Sequence, residues 1–307
     1  MKVLVTGGAG FIGSHLVARL VGRGDEVMVL ARPATDLSRL SALRPGVRCD
    51  AVDLRERGGL RRAVREFAPE GIFHLAASNI QSGVTASAEE VVSSNVLGTF
   101  HLLEETADLP YRFFIHAGSF LEYGMQQRPL NEEARCEPRE LYAVTKLAAT
   151  RLAQAAARNR DKPIVALRIF TPYGPALQPG RLVEQVIVRA LRGDEIPLTL
   201  PTITRDLVYV SDVVDLLLEA TDRAADLGGE VYNAGTGQAT PLQTLVDEVL
   251  ALTGSRSRVR WNAYPAALYD AFVNQADMAA TFARFAWRPK HPLRSGLERT
   301  IEWYRSH

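Results

Sequence analysis

Short apolar runs alternate with amphipathic stretches through the first half of this chain. Val3–Val5, Val27–Leu30, Val47–Val52, Ile72–Leu75, Phe113–Ala117 and Ile164–Ile169 are strand-length runs rich in Val, Ile and Phe. Between them, Ile12–Val21, Leu60–Phe67, Glu89–Ala107 and Tyr142–Ala157 read as helices, the last rich in Ala and Leu. Strand, helix and strand in strict alternation is the signature of βαβ units. It predicts an α/β fold built on a mostly parallel, doubly wound sheet over residues 1–170.

From Thr171 the pattern loosens, because Pro172, Pro175, Pro179, Pro197 and Pro201 interrupt the chain around one helical stretch, Leu182–Arg192. Residues 171–307 are therefore expected to form a smaller C-terminal α/β lobe. Within it, Leu207–Val210, a helix through Ala220 and Val231–Ala234 regain strand–helix character, so 205–237 are expected to rejoin the sheet. Thr240 as N-cap with Pro241 at the first helical position opens another helix that ends near Gly254, and Leu293–Tyr304 forms the last one.

Composition narrows the function. At 307 residues and 47% hydrophobic content the chain buries an ordinary core. Thirty-six Lys and Arg against 35 Asp and Glu leave no basic excess to hold a phosphate backbone, so nucleic acid is not an expected partner. Cys49 and Cys136 fit neither a disulfide framework nor a zinc site, and no metal is expected. Glycines interrupt the first apolar run at once, and no stretch reaches membrane-spanning length. A cytoplasmic enzyme with no membrane partner is the expectation.

The chemistry begins at Val5-Thr6-Gly7-Gly8-Ala9-Gly10-Phe11-Ile12-Gly13, glycines set between a buried strand and a helix. Gly7 permits a tight turn, Gly10 lets the backbone approach a diphosphate, and Gly13 allows close helix–strand packing. The helix N-terminus, including the Phe11 and Ile12 amides, supplies N–H groups and positive dipole. A dinucleotide is the implied ligand. In NAD-specific sites an acid ends the second strand and binds the ribose 2′-OH. Here Ala31 stands there and Arg32 follows, which suits a 2′-phosphate and favours NADP(H). The alternative is NAD(H), with Asp36 taking the ribose and Arg32 lying exposed.

Tyr142-Ala143-Val144-Thr145-Lys146 is the second motif. Positions i and i+4 share a helix face, so the Lys146 ammonium can approach both the Tyr142 phenol and a nicotinamide ribose. Bringing a phenol from a pKa near 10 to about 7 takes roughly 4 kcal/mol of anion stabilisation, much of which a nearby ammonium supplies.

Together these motifs resemble the extended short-chain dehydrogenases/reductases, and specifically their nucleotide-sugar epimerase and 4-ketoreductase branch. The spacing G-x-x-G-x-x-G is that of the extended type. His116-Ala117-Gly118-Ser119-Phe120-Leu121-Glu122-Tyr123-Gly124 resembles its S-S-x-x-x-Y-G stretch, which implies Ser119 as the catalytic hydroxyl; a helix cap is the other reading. Asp53-Leu54 resembles the adenine-contacting pair, with a local capping role for Asp53 compatible. His74-Leu75-Ala76-Ala77 resembles the segment under the cofactor, and Asn95 the N-x-x-G-T helix, as a structural or cofactor-side residue. His74 itself reads as a strand residue.

The resemblance runs nearly to the end of the chain, and it implies that the lobe at 171–307 binds substrate. Arg168-Ile169-Phe170-Thr171-Pro172-Tyr173-Gly174-Pro175 is similar to R-x-x-N-x-Y-G-P, with Thr171 where a substrate-side Asn is usual. Arg205-Asp206-Leu207-Val208-Tyr209-Val210-Ser211-Asp212 is similar to R-D-x-x-x-V-x-D and implies Arg205 as a diphosphate ligand; pairing with Asp206 or Asp212 is the alternative. No arginine occurs in 264–277, where a second diphosphate ligand is usual, leaving Arg181, Arg258 or Arg260 as substitutes. Glu122 reads as a substrate contact or as a solvated loop acid.

Phe120-Leu121 occupy the place of the Asp-Glu pair with which sugar 4,6-dehydratases move protons, so dehydration is disfavoured. Ala31-Arg32 favours an enzyme that consumes NADPH, reducing a keto group, most simply C4, of a nucleotide-linked deoxysugar. The alternatives are an NAD-dependent nucleotide-sugar 4-epimerase on the same three residues, a dihydroflavonol-reductase-like carbonyl reductase, and a catalytically silent NADP-sensing regulator. Retention of Ser119, Tyr142 and Lys146 speaks against the last. The resemblance also implies a homodimer formed through the helices at Glu89–Ala107 and Tyr142–Ala157.

Overall fold

The computed structural model describes residues 1–79, 86–265 and 273–307. Its elements run β1 (Lys2–Thr6), α1 (Phe11–Gly22), β2 (Glu26–Ala31), a 3-10 stretch (Ser38–Gly46), β3 (Val47–Ala51), α2 (Arg57–Phe67) and β4 (Gly71–His74). Next come α3 (Ala88–Val92), a π turn (Ser93–Leu97), α4 (Gly98–Glu105), β5 (Phe113–Ser119), a 3-10 turn (Phe120–Tyr123), α5 (Leu141–Arg160) and β6 (Ile164–Ile169). The remainder comprises β7 (Thr171–Tyr173), α6 (Leu182–Arg192), β8 (Ile196–Pro197), β9 (Thr204–Arg205), β10 (Leu207–Tyr209), α7 (Val210–Arg223) and β11 (Val231–Ala234). Then follow β12 (Thr240–Pro241), α8 (Leu242–Thr253), β13 (Val259–Arg260), α9 (Ala279–Arg284) and α10 (Leu293–Ser306).

The chain divides into two compact units. The first holds Met1–Glu122, Cys136–Arg168 and Val214–Tyr232; the second holds Tyr123–Arg135, Ile169–Val213 and Asn233–His307. The excursion at 123–135 has no sequence signal, and hydrogen bonds within the second unit explain it. The Asn233 side-chain amide donates to Leu130 O (2.7 Å) and accepts from the Tyr123 hydroxyl (2.7 Å), while Leu130 N donates to Gln275 O (2.8 Å).

A seven-stranded sheet in the order β11-β6-β5-β4-β1-β2-β3 makes this a Rossmann-type doubly wound α/β fold. Its pairings β3–β2, β2–β1, β1–β4 and β4–β5 are parallel. The period of two along each strand sorts the side chains. Leu4, Met28, Leu30, Ile72 and Phe114 belong to the core that also takes in Leu60, Val64 and Phe67 of α2, Leu102 and Leu103 of α4, and Ala153 and Ala157 of α5. Each such Leu, Ile or Phe contributes about 1.5–3 kcal/mol on burial. On the other face, Gly8 brings Val17 of α1 against Val29 of β2.

The same register carries the chain from core to site. Leu4, Ile72 and Phe114 stand side by side across β1, β4 and β5, and two residues on stand Thr6, His74 and His116. An apolar row thus gives way to a polar one at the carboxyl ends of the strands. Strand order reverses at β1 and β4, where open α/β sheets bind ligands.

Small two-stranded pieces, β10–β7, β12–β9 and β13–β8, characterise the second unit, in which α6, α8 and α10 pack on one another. One expected boundary moves. Thr240 and Pro241 pair with β9 as a strand, so α8 starts at Leu242 with Pro241 as its N-cap, and left-handed Gly254 ends it. The interval 264–277 lies partly outside the described residues.

Candidate active site

Gly7 has φ +71°, and a Cβ on it would stand 2.6 Å from Ala76 N, so only glycine lets the turn lie against the chain leaving β4. At Gly13 a Cβ would fall 2.1 Å from Gly7 O, which fixes glycine where α1 crosses its own turn. Gly10 differs: it is the N-cap of α1, Gly10 N donates to Gly7 O (3.0 Å), and a Cβ there would meet Gly7 O alone, at 3.2 Å. Its outer side is open beside the first amides of α1. A diphosphate fits that cradle, where the first N–H groups of α1, which have no intrahelical acceptor, and the helix dipole converge. Phe11 is buried with its ring against His15, so Phe11 can serve such a ligand only through its amide.

The floor of the cradle, Leu75-Ala76-Ala77-Ser78, is held by Asn95. Its Oδ1 accepts from Ser78 N (2.7 Å), and its Nδ2 donates to Ser78 O (2.9 Å) and to Thr145 Oγ1 (2.9 Å). The π turn at Ser93–Leu97 brings Asn95 inward, to 2% exposure. Gly98 belongs to the same device, since a Cβ there would meet Leu54 Cβ at 3.1 Å.

His74 is a structural link. Thr99 Oγ1 donates to Asn95 O (2.6 Å), so it accepts from His74 Nε2 (2.8 Å), which leaves Nδ1 to accept from Thr6 Oγ1 (2.7 Å). Thr6 Oγ1 in turn accepts from Ala76 N (3.3 Å). The ring is therefore neutral with its proton on Nε2, and burial pushes its pKa down to about 3. His116 lies beside it at 5.4 Å between ring centroids, fully buried, its pKa lowered by burial, and among the described residues neither ring nitrogen has a hydrogen-bond partner.

Tyr142 lies in the first turn of α5 and Lys146 follows one turn later. Lys146 is 3% exposed, and its Nζ donates to Ala117 O (2.5 Å), which ties the helix to β5 two residues before Ser119. Burial pushes the ammonium down to about 8, and the Glu122 charge works against that shift. Thr145 Oγ1 donates to Tyr142 O (2.8 Å), so the Asn95 network reaches the first turn of α5. Ser119 ends β5, and its Oγ accepts from Leu121 N (3.3 Å). That cap uses a lone pair and leaves the hydroxyl hydrogen to donate, so capping and catalysis are compatible.

Glu122 corrects the sequence reading. It is fully buried, its Oε1 accepts from Ser119 N (2.8 Å) and Thr150 Oγ1 (3.0 Å), and its Oε2 accepts from Arg168 Nε (2.9 Å). The carboxylate is neither solvated nor turned to a ligand. A paired cation on the next strand, Arg168, was the signal available in the sequence.

Around the second strand, Arg32 is exposed and its Nη1 is ion-paired with Glu90 Oε1. A carboxylate already on this guanidinium offsets the cation from which a 2′-phosphate preference was argued. Asp36 accepts from Ser38 N and Ser38 Oγ (both 2.8 Å), bonds that hold its carboxyl below the usual range and occupy it in capping the 3-10 stretch. Asp53 accepts from Arg55 N (2.9 Å), and the Arg55 guanidinium lowers its pKa. The capping expectation for Asp53 takes this local form, because α2 starts only at Arg57.

In the second unit, Arg205 donates from Nη1 to Thr204 O (2.8 Å), and Thr171 N donates to Asp206 O (3.0 Å). Asp206 is fully buried and accepts from Thr236 N, Thr236 Oγ1, Gly237 N and Ala276 N at 2.6–3.0 Å, so it is a structural hub. Among the proposed substitutes, Arg260 Nε is engaged by Glu195 (2.6 Å). Among the described residues no His, Cys, Asp and Glu cluster could hold a metal, and no helix is long and apolar enough to cross a membrane.

Residues 3–235 match the family model described as the NAD dependent epimerase/dehydratase family. The low-salt glycan biosynthesis protein Agl12 of Haloferax volcanii is 29% identical, across 99% of this chain and 98% of its own. Among solved structures, the UDP-glucose 4-epimerase of Thermotoga maritima with UDP-glucose superposes with a TM-score of 0.91 at 28% identity, covering 100% of this chain and 99% of that one. MoeE5 in complex with UDP-glucuronic acid and NAD does so with a TM-score of 0.86 at 33% identity, again over 100% and 99%.

Proposed function

The chain belongs to the NAD dependent epimerase/dehydratase family, and on that premise we propose that it is an NAD-dependent nucleotide-sugar 4-epimerase. The observation that carries this reading is end-to-end likeness to the UDP-glucose 4-epimerase and to MoeE5, together with retention of Ser119, Tyr142 and Lys146. It replaces NADPH-dependent 4-keto reduction, which rested on Ala31 leaving no acid at the end of β2 and on Arg32 offering a cation. Arg32 is ion-paired with Glu90. Dehydration stays disfavoured, since Phe120 and Leu121 cannot move protons and Glu122 is sealed in the interior.

Gly7, Gly10 and Gly13, the α1 amides and the 75–78 floor would hold the dinucleotide, with Lys146 on its nicotinamide ribose. The cofactor's part is reversible hydride transfer at the nicotinamide. Tyr142 takes the proton from the C4 hydroxyl and returns it to the C4 oxygen after the sugar presents its other face. Lys146 supports the phenolate by charge, and Ser119 donates a hydrogen bond to the C4 oxygen as its charge changes. In the second unit Arg205 is proposed for the diphosphate and Thr171 for the sugar side.

The test is to denature the purified protein, identify released nucleotide, and follow UDP-glucose and UDP-glucuronic acid by NMR. Retained NAD and interconversion of C4 epimers without net reduction of cofactor are expected. Stoichiometric NADPH consumption on a 4-keto-6-deoxy nucleotide sugar, with no epimerisation of either UDP sugar, would overturn it.

A further inference from the structure

Glu122 and Arg168 form an ion pair whose side chains are 0% and 2% exposed, inside the first unit. Such a pair is weak evidence of stabilisation, because desolvating both charges offsets most of their attraction. Glu122 Oε1 binds two elements at once: Ser119 N at the end of β5 (2.8 Å) and Thr150 Oγ1 on α5 (3.0 Å). Tyr142, Lys146 and Thr150 follow one another at intervals of four and lie along one face of α5.

The neighbourhood is built around this contact. A Cβ on Gly118 would stand 2.7 Å from Glu122 Oε1 and 3.3 Å from Leu167 O, so the strand gives up a side chain to admit the carboxylate. Arg168 orients the other oxygen through Nε (2.9 Å) and donates from Nη2 to Cys136 Sγ (3.1 Å).

We infer that Glu122 is a positioning residue: one buried carboxylate oxygen, bonded to the Ser119 amide and the Thr150 hydroxyl, sets Ser119 against the face of α5 that carries Tyr142 and Lys146. This rests on the reading of those three residues as catalytic. The carboxylate also bears on Lys146 through charge. Among the described residues, the other titratable groups bearing on Lys146 are His74 and His116, both neutral, and Tyr142 shares its helix face. Glu122 is thus the anion that opposes the effect of burial on the ammonium.

The two roles separate in two variants of the full-length protein. Glu122→Gln keeps an oxygen for Ser119 and Thr150 but removes the charge; Thr150→Val keeps the charge but cuts the tie to α5. The chain has only four lysines, so ε-13C labelling resolves Lys146, assigned with Lys146→Met, without any substrate. Glu122→Gln is expected to lower the Lys146 titration midpoint by about one pH unit and to move the alkaline limb of kcat with it. Thr150→Val is expected to leave that midpoint in place and to lower kcat roughly fivefold to tenfold at unchanged KM, with Thr150→Ser restoring it.

Wild-type kcat per folded molecule in Thr150→Val would overturn the inference, and an unmoved Lys146 midpoint in Glu122→Gln would remove the charge effect on Lys146. Should Glu122→Gln fail to fold, the Thr150 pair decides alone. Tyr142→Phe separates this from failure of the underlying reading. If it retains turnover, the catalytic assignment falls; if it is inactive while Thr150→Val is normal, only the brace falls.

Discussion

Removal of the Asn95 side chain tests the cofactor floor most directly. Asn95→Ala deletes three hydrogen bonds, to Ser78 N, Ser78 O and Thr145 Oγ1, at 2.7–2.9 Å in the interior. At a net of roughly 0.5–1.5 kcal/mol each, the loss is about 2–4 kcal/mol, and water entering the vacated space holds it to the lower half of that range. For domains of this size each kcal/mol lowers Tm by roughly 2–4 °C, so a drop of about 5–10 °C is expected by calorimetry. Because Ser78 ends the floor at Leu75-Ala76-Ala77, NAD affinity should weaken by about tenfold, read by isothermal titration. Thr145→Val is the internal control: it removes one of the three Asn95 bonds, together with the Thr145 hydroxyl's own bond to Tyr142 O, and leaves both on Ser78, so it should cost about 1–2 kcal/mol and spare affinity. A Tm within 2 °C of the parent and NAD affinity within about twofold for Asn95→Ala would refute the reasoning. So would a Thr145→Val variant as damaged as Asn95→Ala.

The glycines of the turn should fail in different ways: Gly13→Ala forces a Cβ 2.1 Å from Gly7 O and should cost about 1–3 kcal/mol by urea unfolding, whereas Gly10→Ala should fold normally and lose NAD binding. Equal stabilities would refute the distinction. His74 and His116 titrate when unfolded but stay neutral when folded, so the stability each contributes is complete above about pH 6.5 and falls by roughly 1.4 kcal/mol per unit as pH drops below it. His116→Leu, which leaves no polar group behind, should remove one proton from that slope between pH 6.5 and 5; an unchanged slope refutes its burial as a neutral ring. For assembly, Val92, Leu97 and Phe100 on the 88–105 segment and Val144 on α5 are exposed apolar side chains, as a homodimer through these helices requires. Sedimentation should show a dimer that Leu97→Glu with Val144→Glu converts to monomer, and a monomeric parent at micromolar concentration refutes the proposal.

Much of the first unit was legible because its strands and helices carry their periods openly, and because Gly7, Gly13 and Tyr142-x-x-x-Lys146 fill positions that few other residues can. The bounds of α1, α5 and α6 lie within three residues of those read from the pattern. What stayed hidden depends on distant pairing. Nothing local marks 123–135 as part of the second unit, since Leu130 is claimed by Asn233 and Gln275, more than a hundred residues on. Thr240 has the chemistry of a cap but pairs with β9. Arg32 invited a phosphate because Glu90, its partner, lies 58 residues away, and Glu122 looked like a loop acid because Arg168 lies 46 away. In each case the local residue was read correctly as charged or polar, and the remote partner decided its role.

The two strongest motifs, the glycine turn and Tyr142-x-x-x-Lys146, are more than a hundred residues apart, yet side chains without any motif signal join them. Ala76 N, Thr6 Oγ1, His74, Thr99 Oγ1, the Asn95 backbone and amide, Thr145 Oγ1 and Tyr142 O form one unbroken run of bonds. Each hydroxyl in it accepts one bond and donates one, which fixes the direction of every proton, including that on His74 Nε2. Reversal at one member would leave two donors or two acceptors facing each other in the interior, so the run is held in a single sense. The segment at 75–78, proposed to lie beneath the dinucleotide, and the first turn of α5 are in this way one rigid polar object. A substitution at Thr6 or Thr99, neither of which belongs to a motif, should therefore reach both cofactor affinity and the set of Tyr142.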